Sequence, residues 1–81
     1  MESSNINFRF KRGDLVTPNS SFGACLRKYP LVERGIDGEV KRGEIFIVLS
    51  DEFIVGVNWI MIFVPKFGVC YSNARTFAKF A

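Results

Sequence analysis

Polar and apolar residues alternate strictly from Asn5 to Lys11: Asn5, Asn7, Arg9 and Lys11 are polar, while Ile6, Phe8 and Phe10 are apolar. A period of two puts the apolar set on one side of an extended backbone and predicts an N-terminal arm or half-buried strand, with 1–10 as the arm. Lys11-Arg12-Gly13-Asp14 supplies turn residues. Leu15-Val16-Thr17 then predicts a short strand, which Pro18 ends because it has no N–H for a ladder. From Pro18 to Gly43 the chain is broken by Gly23, Pro30, Gly35 and Gly38 too often for a long helix. A connection of this length with no structure of its own is uncommon in a compact domain, so part of it should be ordered. Phe22 to Tyr29 as a short helix, or Glu39-Val40 as a strand, are the two candidates.

Glu44 to Ser50 (EIFIVLS) is an apolar, β-prone run, and Phe53 to Val64 (FIVGVNWIMIFV) follows after only Asp51 and Glu52. The pair reads as a hairpin with the two acids near its turn. In the second run Trp59, Met61 and Phe63 alternate with Ile60, Ile62 and Val64, so both faces are apolar and burial on both sides is expected. Pro65 and Lys66 make a turn, Phe67 to Tyr71 a strand, Ser72-Asn73 a turn, and Thr76 to Phe80 alternates again. No internal repeat is visible. The count is about five short strands after the arm, with one long loop after the first, which predicts a mostly-β fold and a small barrel or compact sandwich.

At 81 residues, 48% hydrophobic and 23% charged, the chain is expected to form one small globular domain over 1–81. So short a chain buries a modest fraction of its surface and is often reinforced by staples, metals or self-association. Cys25 and Cys70 are the two cysteines, and the polar start Met1 to Asn7 has no secretory pattern, so a reducing, cytoplasmic setting and two small core thiols are expected. The longest uncharged apolar stretch, Phe53 to Val64, has 12 residues. A spanning helix needs about 20, so no membrane partner is expected.

The order Phe10-Lys11-Arg12-Gly13-Asp14-Leu15-Val16, long loop, Gly43-Glu44-Ile45-Phe46-Ile47-Val48-Leu49, a strand holding Trp59, and a short Gly68-Val69 strand resembles the small SH3-like β-barrels. It is similar in particular to short accessory proteins of that fold that are common in bacteriophage genomes. The resemblance implies a non-enzymatic module that acts stoichiometrically on a host or viral protein. SH3 domains that bind proline-rich peptides open on a characteristic Ala-Leu-Tyr-Asp-Tyr segment, which this chain lacks, so recognition of that type is not implied.

Candidate chemistry is sparse. With no histidine, the commonest general base and any Ser-His or Cys-His pair are missing. Asp51 and Glu52 are adjacent and would face opposite ways in an extended chain, which suits a solvated turn better than an acid/base pair. Two distant cysteines do not make a zinc site, and Gly35, Gly38 and Gly43 lack the Walker pattern. Arg12-Gly13-Asp14 and Asn19-Ser20-Ser21 spell surface motifs of secreted proteins, but a turn before a strand explains the first more simply. No catalytic residue, cofactor or metal is assigned, and the chain is not expected to be an enzyme.

Two kinds of macromolecular partner remain. The net charge of +3 is unevenly placed: residues 31 to 57 hold six acids against three bases, while the bases Lys66, Arg75 and Lys79 follow Asn58 without an acid. Arg9, Lys11, Arg12, Lys66, Arg75 and Lys79 could gather into a nucleic-acid contact if the terminal strands pair, although the acidic middle opposes it. Nine phenylalanines and the Ile/Met/Phe strand exceed what a small half-open barrel needs inside. Either they fill a tight core or the surplus marks a protein contact, with Phe67, Phe77, Trp59 and Met61 as candidates. A protein partner is the leading expectation, nucleic acid the alternative, and self-association through a strand or apolar face is compatible with the first.

Overall fold

The computed structural model describes residues 9–30 and 37–80. The fold is mostly β. Among the described residues seven strands are present: β1 Leu15–Pro18, β2 Ala24–Leu26, β3 Gly38–Val40, β4 Phe46–Ile54, β5 Val57–Val64, β6 Gly68–Asn73 and β7 Phe77–Lys79, with a 3₁₀ turn at Ala74–Thr76. Five form an antiparallel sheet in the order β6-β5-β4-β1-β7, and β2 and β3 form a separate hairpin. An Arg27–Tyr71 bridge, with each N–H donating to the other's carbonyl at 2.8 and 2.7 Å, joins that hairpin to β6. Among the described residues the strands do not close into a barrel, because β7 and β3 end the series without pairing.

Local chemistry accounts for the junctions. In the Lys11–Asp14 turn the Asp14 N–H donates to the Lys11 carbonyl, and the Lys11 N–H donates to Asp14 Oδ2 at 2.9 Å. Gly13, at φ 96°, adopts the left-handed backbone that this turn needs. Before the last strand, Asn73 Oδ1 accepts from the Arg75 N–H at 2.9 Å and Thr76 Oγ1 donates to the Asn73 carbonyl, which closes the 3₁₀ turn and sends the chain back to β1.

The core draws on every strand: Val16 from β1, Leu26 from β2, Val40 from β3, Val48 from β4, Ile60 and Ile62 from β5, Cys70 from β6 and Phe77 from β7, closed by Phe10. Phe10 is tied down as well as buried, its N–H donating to Asp51 Oδ2 at 2.9 Å. Ser72, the one buried polar side chain of the described residues, donates to the Cys25 carbonyl at 2.6 Å and so pins β2 onto β6.

The structure corrects several expectations. The Phe22–Tyr29 helix does not form; the segment holds β2, which pairs Ala24, Cys25 and Leu26 with Val40, Glu39 and Gly38. Glu39-Val40 is a strand, as expected. The β4–β5 turn is not at Asp51-Glu52, since both lie within β4 opposite Ile60 and Trp59. It sits at Val55-Gly56, where φ is 46° and 78°, the paired positive values of a two-residue hairpin turn. Arg9 to Lys11 is not a strand, and residues 1–8 of the expected arm lie outside the described residues.

Candidate functional site

Cross-strand register decides which apolar residues share a face. Val48 pairs with Ile62 and Ile62 with Cys70, all buried, so their neighbours along each strand point the other way. Leu15 pairs with Ile47 and Phe63 with Val69 on that opposite face. The Val48–Ile62 register sets Ile47 beside Phe63, and the Val16–Lys79 register sets Phe80 beside Leu15, where the Phe80 N–H donates to the Leu15 carbonyl at 2.8 Å. The result is one row, Phe80–Leu15–Ile47–Phe63–Val69, crossing all five strands. Each of these side chains is between 43% and 52% exposed. Its flanks are uncharged, with Thr17 and Ala78 on one side and Ser50, Met61 and Tyr71 on the other.

Strand β5 is therefore buried on one face and partly open on the other, not buried on both as its composition suggests. Of the four protein-contact candidates, Met61 lies half-buried beside this row. Trp59 is on the same face between Glu52 and Asn73 but only 2% exposed, and Phe77 is fully buried in the core. Neither Trp59 nor Phe77 can present a free surface, and both are corrected from contact residues to packing residues. Phe67 is exposed at the β5–β6 turn, where its ring lies over Gly38 so closely that a Cβ there would strike it. It walls a groove of about 390 Å³ shared with Glu39, Lys41, Glu44 and Lys66. The row itself was missed. Phe63 and Val69 are apolar in the sequence, but only the register shows that they align.

The basic candidates do not form one patch. Lys79 Nζ lies 3.7 Å from Asp14 Oδ2, at the turn that also carries Lys11 and Arg12. Arg75 sits at the other end of β1, where its carbonyl accepts from Asn19 Nδ2, and Lys66 lies in the Phe67 groove among two acids. Arg9 is exposed beside the turn. Each cluster of bases is thus interleaved with carboxylates.

Among the described residues two titrations are shifted. Burial raises the Asp51 carboxyl, outweighing the lowering effect of the Phe10 N–H and of the Asn58 amide that donates to it. Burial also pushes the Cys70 thiol up to about 11, so it stays protonated and unreactive at neutral pH. Among the described residues no group of three His, Cys, Asp or Glu side chains is placed to hold a metal, and no helix is long and apolar enough to cross a membrane.

Compared with known proteins, the chain matches no family, no curated protein and no solved structure.

Proposed function

We propose that this chain is a non-catalytic contact module that binds another protein stoichiometrically through the outer face of its five-stranded sheet. The observation that carries this reading is the row Phe80–Leu15–Ile47–Phe63–Val69. An exposed apolar patch of a few hundred Å² is often functional, and an uncharged centre is what a protein contact favours. The likeness to SH3-like phage accessory proteins rests on the sequence order of the Phe10–Val16 opening, the long connection, the Gly43–Leu49 run, the strand holding Trp59 and the Gly68-Val69 strand. A host or viral protein is the partner that likeness implies, and the cytoplasm its setting.

The test compares the immobilised protein with Phe63→Asp, folded by circular dichroism, as baits in an extract. A protein retained by the first and lost by the second is then purified and titrated calorimetrically. Saturation at a fixed stoichiometry, with affinity lowered at least tenfold by the substitution, is expected. Equal retention by both baits would overturn the assignment of the face. Parallel titration of labelled oligonucleotides tests the alternative reading, in which the bases around Asp14 contact nucleic acid.

A further inference from the structure

Resting on the reading of this face as a protein contact, we infer that in the absence of that partner the face is covered by a second copy of the same chain, in a symmetric face-to-face dimer that the partner displaces. Five side chains, each about half exposed, present roughly 450 Å² of apolar surface in one row. One side of a standard interface covers about 800 Å², of which roughly 60% is apolar. The row alone therefore supplies nearly the whole apolar centre that a stable dimer needs, and Thr17, Ser50 and Tyr71 at its flanks can furnish the polar rim.

Charge selects the same conclusion. A partner recognised by electrostatic complementarity needs a signed surface to read, and neither the row nor its two flanking rows carries a charge. An uncharged apolar row is complementary to itself: a two-fold axis through Ile47 and Phe63 lays row against row and leaves Lys11, Arg12 and Lys66 outside the centre. Antiparallel sheets pack in this way, face to face at about 10 Å, with inner side chains interdigitating. The dimer would extend a core that a chain of 81 residues cannot make large by itself.

Sedimentation equilibrium of the full chain from about 1 to 500 μM tests this inference. We expect a monomer–dimer equilibrium with a dissociation constant in the micromolar range, weakened at least tenfold by Phe63→Asp and by Ile47→Asp. Phe22→Asp, at a side chain that is 95% exposed and outside the row, should leave it unchanged. If a β4 or β5 variant loses its fold, Val69→Asp on edge strand β6 gives the same reading. A wild-type chain that stays monomeric throughout overturns the inference, as does a dimer indifferent to these substitutions. A monomer whose partner capture is still lost in Phe63→Asp would overturn the second copy and keep the contact face. Capture indifferent to Phe63 would remove the contact reading itself.

Discussion

Val55 combines a φ of 46° with 92% exposure, so a β-branched side chain is held in the left-handed region and recovers nothing by packing. Asn tolerates that backbone far better, and Asn-Gly is the favoured pair for such a turn. Val55→Asn should stabilise the protein by about 1 kcal/mol, read as a rise of several degrees in thermal midpoint. The thiols report a second local contrast. Cys25 is half-buried and Cys70 buried with its pKa near 11, so iodoacetamide at pH 8 should label Cys25 in the native protein and reach Cys70 only in denaturant, as mass spectrometry would show. Asp51 gives the third. Its unfolded carboxyl titrates near 3.8 and its folded one higher, so between those values the native state holds the extra proton. The stability Asp51 contributes is greatest below pH 3.8 and declines as pH rises through its folded pKa. Asp51→Asn removes that decline, and its urea midpoint relative to wild type should improve from pH 3.5 to pH 7.

At the scale of elements, the β2–β3 hairpin depends on β6 for its place. Ser72 Oγ holds the Cys25 carbonyl, and the Arg27–Tyr71 bridge supplies two further hydrogen bonds. Ser72→Ala leaves that carbonyl unsatisfied near the core and should cost about 1–2 kcal/mol. Hydrogen exchange at the Arg27 and Tyr71 amides should accelerate more than exchange within the β4–β5 hairpin. This docking was not legible in the sequence, because a strand of three residues is too short to show a period and owes its form to its partners. Strand β1 was legible, since Leu15-Val16-Thr17 follows turn residues and Pro18 comes next. The β4–β5 hairpin was half legible: the two apolar runs announced it, but Asp51-Glu52 looks more like a turn than Val55-Gly56 does. The unfavourable residue at Val55 concealed the true reversal. For the candidate site the obstacle was β5, whose two apolar faces give no sign of which one the core takes.

At the scale of the whole molecule, the question is whether a net charge of +3 makes a surface that nucleic acid can use. The chain folds its basic ends together, as pairing of β1 with β7 requires, and so brings Lys79 toward Lys11 and Arg12. Yet Asp14 stands at the centre of that group, accepting from the Lys11 N–H and facing Lys79, while Glu39 and Glu44 stand beside Lys41 and Lys66 in the groove. Phosphate binding draws on several uncompensated cations acting together, and its signature is a steep fall of affinity with salt. Carboxylates set among the cations weaken the field they make within about a Debye length, 8 Å at physiological ionic strength. Fluorescence anisotropy with labelled single-stranded and duplex oligonucleotides should therefore give dissociation constants no tighter than about 100 μM near 150 mM salt, the weak end of non-specific binding. Replacing Lys11, Arg12 and Lys79 together by Ala should barely change the salt slope. Micromolar affinity that collapses with salt, and is lost in the triple variant, would instead make the cations around Asp14 the working surface and reduce the apolar row to an element of self-assembly.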